Sequence, residues 1–204
     1  MIIIKGNKEP LVDIRKACPD ILIGSVSKRI LKKYGPLIRK GVAKRLNEAQ
    51  NNLPRGMKLI IDSAWRPPWY QKEIYKNFLK KFSKLYPKWP KKKILKVAKK
   101  YIASWKGKYV SGHMTGGAVD VRIVKDYRKI LMTTKKLIYQ EATKTYCKKL
   151  PPCLKKNRQI LIDAMTKAGF SNYPEEFWHW SYGDYWWAKR KNKKLAIYEI
   201  IDLN

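Results

Sequence analysis

Only two histidines, His113 and His179, occur in the chain, and each sits among acidic, small or aromatic neighbours in one of two widely separated stretches. The first runs Ser111-Gly112-His113-Met114-Thr115-Gly116-Gly117-Ala118-Val119-Asp120. The second runs Glu175-Glu176-Phe177-Trp178-His179-Trp180. The glycine pair lets the chain turn sharply, and Ala118 to Val121 alternates as a strand does. A loop histidine and a strand carboxylate can therefore converge on one point. If His179 joins them, the fold must bring distant parts of the chain together, which constrains it more than any local propensity. Two imidazoles, one carboxylate and an open fourth position form a catalytic zinc arrangement. Spacing alone leaves ordinary core or surface histidines as an equal reading.

The rest of the chain supplies elements enough for a single α+β domain over residues 1–204. Leu11 to Arg15 suits a short strand. Leu37, Ile38, Val42, Ala43, Leu46 and Ala49 recur at helical spacing after Pro36, and Asn51-Asn52-Leu53-Pro54 ends that helix. Met57 to Asp62 reads as a strand entering the loop Ser63-Ala64-Trp65-Arg66-Pro67-Pro68. Tyr75, Phe78, Leu79 and Phe82 mark a helix opening after those prolines. Ile94, Val97, Ala98, Tyr101 and Trp105 continue a helical pattern. Leu154 to Ala168 is predicted helical, with Gly169 as its terminator. Phe170 to Tyr182 is predicted as a strand turned by Gly183-Asp184, and Leu195 to Ile201 as a last strand.

Charge is the second constraint. Lys and Arg number 47 against 15 Asp and Glu, a net charge of +32, and residues 74–119 contain thirteen lysines and no acid. Such an excess suits contact with an anionic polymer or surface. It equally suits a solvated lysine-rich exterior, and the aromatics between the lysines fall at core spacing, so no specific nucleic acid is expected. Hydrophobic residues make up 45% of the chain, with eight tryptophans, which excludes a disordered basic tail. Cys18, Cys147 and Cys153 form no even framework and no zinc-knuckle spacing, so reduced thiols are expected. The opening Met1 to Gly6 is too short an apolar run for a signal peptide, and no stretch reaches the length of a membrane span; the expectation is a cytoplasmic protein.

With these residues in view, the pattern Ser111-x-His113-x-x-Gly116-x-Ala118-x-Asp120, followed by Glu176-x-Trp178-His179, resembles the zinc D-Ala-D-Ala dipeptidases and D,D-carboxypeptidases. The VanX-type dipeptidases, known for vancomycin resistance, are the nearest branch. Gly169 to Pro174, His179 to Asp184, and Asp62 to Pro67 share that likeness, which covers roughly residues 11–188. The resemblance implies an α+β fold with a central, mainly antiparallel sheet flanked by helices, and one Zn2+ per chain held by His113, Asp120 and His179. It implies that Glu176, rather than its neighbour Glu175, is the general base. It further implies that Arg66 stabilises the developing oxyanion and that Ser111 contacts substrate.

What the resemblance implies about substrate is a small D,D-dipeptide, with D,D-carboxypeptidase or endopeptidase action on peptidoglycan stem peptides as the alternative. The likeness lapses between Lys125 and Lys149. There, the dipeptidases bring an acid toward the substrate's ammonium, and this chain offers only Asp126 and Glu141. Hedgehog signalling domains share the fold and keep a zinc site, so a binding role on the same scaffold is a third expectation to test.

Overall fold

The computed structural model describes residues 1–99, 101–107 and 109–203. In chain order it contains β1 (Ile3–Ile4), β2 (Leu11–Asp13), α1 (Ile14–Ala17), β3 (Leu22–Ile23), α2 (Lys28–Lys33), β4 (Leu37–Arg39), α3 (Lys40–Asn51) and β5 (Met57–Ser63). Then come α4 (Pro68–Leu85), α5 (Lys91–Ala98), a 3-10 turn (Gly112–Thr115), β6 (Ala118–Lys125), β7 (Arg128–Lys129) and α6 (Tyr139–Ala142). The chain closes with α7 (Pro152–Lys167), β8 (Ser171–Tyr173), β9 (Glu176–Ser181), α8 (Tyr185–Arg190) and β10 (Leu195–Ala196).

The main sheet has the order β3-β5-β6-β9-β8, with β7 also on β6. It is mixed: β3 runs parallel to β5, and the other pairs are antiparallel. Strand alternation gives this sheet two unlike faces. Leu59 and Ile61 of β5, with Val119, Val121 and Ile123 of β6, are fully buried in one core with Val42, Leu46, Leu161 and Met165 from α3 and α7. Burying such side chains contributes about 1.5–3 kcal/mol each. Asp120 and Arg122, the alternate residues of β6, are only half-buried and belong to the opposite face. The candidate ligand Asp120 lies there, paired across to His179.

Local chemistry sets the ends of these elements. Pro152 opens α7, where its missing N–H costs nothing. Gly169, at φ +87°, closes it: its N–H donates to the Thr166 carbonyl, and the Phe170 N–H donates to that of Met165. This double bond is the left-handed Schellman ending that glycine favours, and buried Phe170 supplies its apolar contact.

Four expectations are corrected. Leu37 and Ile38 form a strand that pairs with β2, so the helix starts only at Lys40; three paired residues outcompete a helical turn that Pro36 would have begun. Helix α5 ends at Ala98, so Tyr101 and Trp105 lie in irregular backbone beyond it, and Lys100 lies outside the described residues. Phe170 to Tyr182 is a hairpin, β8 and β9, broken at Pro174-Glu175. The last strand is only Leu195–Ala196, paired parallel with β1. All three cysteines are free thiols, and among the described residues no helix is long and apolar enough to cross a membrane.

Candidate metal centre and its surroundings

Asp120 and His179 are direct cross-strand partners on β6 and β9. Such neighbours have Cβ atoms about 5 Å apart, so register alone sets this carboxylate beside this imidazole. The Asp120 Oδ1 atom lies 3.0 Å from His179 Nδ1. His113 arrives from the 3-10 turn, and its Nε2 lies 3.3 Å from that same Oδ1. One ligand atom from each of the three residues falls within 4.8 Å of the others. Residues far apart in sequence thus share one point.

The turn carrying His113 is fixed by its glycines. Gly116 adopts φ +69°, and a Cβ there would meet Leu11 at 2.6 Å. Gly117 lies against the end of β9: the Tyr182 N–H donates to its carbonyl at 2.8 Å, and a Cβ would strike the Tyr182 carbonyl. Buried Arg39 braces the turn from below, donating from Nε to the Thr115 carbonyl at 2.8 Å and from its terminal nitrogens to the Glu9 and Glu199 carbonyls.

His113 Nδ1 lies 2.8 Å from the Ala64 carbonyl. A carbonyl only accepts, so Nδ1 carries the proton and Nε2 presents a lone pair toward Asp120. Burial, with the nearby Arg66 charge adding, pulls the His113 pKa down to about 4. It is therefore neutral at pH 7, as a metal ligand must be. Burial works against ionisation of Asp120, yet its hydrogen-bonded surroundings outweigh it and hold the carboxyl well below the usual carboxylate range: His179 Nδ1 lies 3.0 Å from Oδ1, and Arg66 donates to Oδ2. The His113 side chain is 3% exposed, Asp120 14% and His179 16%, so the cluster opens on the Asp120–His179 side. Two imidazoles and an ionised carboxylate, open on one side, fit a divalent ion such as zinc.

Arg66 is bonded to this cluster through Asp120. Its terminal nitrogen donates to Asp120 Oδ2 at 3.0 Å, its Nε donates to Ser63 Oγ at 3.0 Å, and its other terminal nitrogen donates to Gln71 Oε1 at 3.3 Å. The Arg66 backbone N–H donates to the His113 carbonyl. A bulge at Asp62 shifts the β5 register so that Ser63 faces Asp120. Ser111 is buried at the start of the His113 turn, its carbonyl accepting from the Met114 N–H at 3.0 Å.

Glu176 opens β9 opposite Tyr173 and is half-buried, while Glu175 is exposed in the turn. Burial raises the Glu176 pKa above its ordinary value; the Asp120 charge adds to that, and His179 and Arg66 pull against it. Tyr139 and Tyr173 both have raised pKa values, first by burial and then by the Glu176 charge. Tyr139 also meets Trp178 at 6.4 Å between rings, and Tyr173 meets His179 edge-on at 6.2 Å. Sequence reasoning missed these two tyrosines, the Ala64 carbonyl, Arg39 and Gln71. Only the tyrosines carried any signal, as aromatics near acidic motif residues.

A family model described as D-ala-D-ala dipeptidase matches residues 11–195. Among solved structures, the chain is similar to VanYB in complex with D-alanine-D-alanine, at 18% identity and a TM-score of 0.50 over 74% of each chain. It is also similar to a mutant of the vancomycin resistance D,D-pentapeptidase VanY in complex with Zn(II), at 18% identity and a TM-score of 0.48, over 88% of this chain and 86% of that one. The first of these likenesses is one of fold. No curated protein matches the chain.

Proposed function

The chain belongs to the D-Ala-D-Ala dipeptidase family, and from that premise we propose that it is a zinc metallopeptidase hydrolysing the D-alanyl-D-alanine bond. The observation that supports this most is the meeting of His113 and His179 on one oxygen of Asp120, with Glu176 on the same strand as His179. Zinc held by His113, Asp120 and His179 would supply Lewis acidity, polarising a carbonyl and lowering the pKa of water. Glu176 takes the proton of the attacking water and returns it to the departing amine. A carboxylate raised by burial suits both transfers. Arg66 holds its positive charge in place through Ser63, Gln71 and Asp120, so it can meet negative charge growing on the substrate oxygen without reorganising. Ser111, Tyr139, Tyr173 and Trp178 are the residues we assign to the substrate's contacts.

The family description makes the free dipeptide the first reading of substrate. A specific observation favours a second, the D-Ala-D-Ala end of a stem peptide. A dipeptidase needs a carboxylate for the substrate's ammonium, and two of the candidate acids, Asp62 and Glu141, are already engaged. Asp62 accepts from the Ser25 N–H and pairs with Arg122 at 3.2 Å and Lys129 at 3.4 Å. Glu141 pairs with Lys144 at 3.6 Å, and Asp126 is exposed in the β6–β7 turn.

The test is a turnover panel of free and N-acylated D-Ala-D-Ala, before and after chelation and zinc addition. Chelation should abolish hydrolysis and zinc restore it. Glu176→Ala should retain zinc and lose about 10²–10⁴-fold in kcat; unaltered turnover in that variant would refute the mechanism. Equal or better turnover of the acylated substrate would select the stem peptide.

A further inference from the structure

Helices α4 and α5 form an arm of unusual build. Along α4 only Gln71 is buried, and along α5 only Ile94 and Ala98. The aromatics of this arm pack on one another instead of on the main core. Phe78 stacks on Phe82 at 5.6 Å, Phe82 meets Tyr86 at 4.8 Å, Tyr86 stacks on Trp89 at 4.2 Å, and Tyr101 closes against Phe78 and Phe82. Around this ladder, Lys76, Lys80, Lys81, Lys84, Lys88, Lys91, Lys92, Lys93, Lys96 and Lys99 are all exposed. The one acid on either helix, Glu73, is already paired with Arg29 at 2.7 Å. Positive charge on the arm therefore has no internal partner among the described carboxylates.

The arm is also rooted in the catalytic region. Gln71 accepts from Arg66 and donates from Nε2 to the Ala103 carbonyl at 3.0 Å, which ties the first turn of α4 and the chain returning from α5 to one point. The base of the arm is thus anchored at Arg66.

We infer that the α4–α5 arm is a docking surface for the anionic, phosphodiester-linked polymer of a cell wall, which brings wall-borne stem peptides to the site. This rests on the stem-peptide reading above. The charge argues for a polyanion, because unpaired lysines spread along a rod-like arm match regularly spaced phosphates better than a compact ligand does. Attraction of this kind weakens as salt screens it.

The test is co-sedimentation of the full-length protein with purified cell walls, intact or stripped of their phosphate polymer, across a range of salt. Two variants each lose four lysines: Lys80, Lys84, Lys88 and Lys92→Gln on the arm, and Lys155, Lys156, Lys193 and Lys194→Gln elsewhere. The arm variant should bind intact walls about tenfold or more weakly, and the other variant within about twofold of the parent. Soluble D-Ala-D-Ala turnover, whether free or acylated, should be equal in all three. Equal losses in both variants would overturn the inference, since diffuse charge would then explain binding. Undiminished binding to stripped walls, or tighter binding to a short DNA duplex, would overturn it as well. Salt-sensitive, arm-dependent wall binding without any soluble turnover would sustain the docking surface and sink the peptidase reading, so the two fail separately.

Discussion

The β6–β9 ladder and the α4–α5 arm hold their side chains by opposite means. In the ladder, residues distant in sequence are fixed by register and by buried donors. Asp120 faces His179, Ala64 orients His113, and three neighbours grip Arg66. In the arm, contacts are mostly between residues close in sequence, such as Phe78 with Phe82 and Phe82 with Tyr86, and most side chains meet water. Local contacts suffice to keep a rod of positive charge in shape, because exposed lysines tolerate small movements. They do not suffice for catalysis, where an error of about 1 Å costs on the order of 10²-fold. Geometry is kept in the sheet and charge is kept in the arm, with Gln71 as their joint.

Arg66→Ala attacks the ladder side hardest. Loss of one oxyanion donor should lower kcat about 10²–10³-fold, about 2.7–4 kcal/mol, with KM little changed. Kinetics at saturating zinc decide the assignment: normal kcat there would reduce Arg66 to a residue that merely positions Asp120.

Acid should separate the two regions next. The metal-free protein keeps His113 neutral down to about pH 4, whereas an unfolded histidine titrates near its ordinary 6.5. Between those values the unfolded chain binds more protons, so this contribution is complete above pH 6.5 and vanishes as pH falls to about 4. The full loss is about 3 kcal/mol. Urea midpoints at pH 7 and 4.5 should differ by more in the parent than in His113→Gln. An equal shift in both would place the acid sensitivity elsewhere.

Legibility followed the same division. The Gly169 ending, the helix behind Pro67-Pro68 and the Asp120 strand could be read because each has a local cause: a left-handed glycine, a ring that fixes φ, a period of two. Leu37-Ile38 could not, because a three-residue strand exists only through its partner, Leu11–Asp13, and mimics the start of a helix. Core spacing in the acid-free stretch pointed to buried aromatics, and there it misled: those rings pack on one another outside the main core and stay half-exposed or exposed. At the site, the order of motifs pointed to His113, Asp120, Glu176 and His179. The Ala64 carbonyl that sets the His113 tautomer left no trace, since every residue has a carbonyl. Gln71 was equally silent, its two partners lying on either side of a fold not yet formed.

Gln71→Ala strikes the joint. It removes a hydrogen bond to a charged guanidinium, worth about 1.5 kcal/mol, so kcat should fall about tenfold. Backbone amides near Ala103 should exchange faster at the same time. Gln71→Glu keeps an acceptor for Arg66 and should recover most of the rate. A Gln71→Ala enzyme with parental kcat would mean that the arm and the site are mechanically independent.

Phe82→Ala is the mildest and tests the arm alone. Phe82 touches Phe78, Tyr86, Trp89 and Tyr101, yet is only half-buried. Its loss should therefore cost about 1–2 kcal/mol, less than a core phenylalanine would. Because few arm side chains reach the main core, that cost should fall on local opening. Hydrogen exchange should accelerate in α4 and α5 while β6 and β9 keep their protection, and turnover of soluble substrate should stay at the parental rate. Loss of protection throughout the sheet would show that the arm's ring ladder is part of the same cooperative unit as the metal centre, and the contrast between the two regions would fail at its foundation.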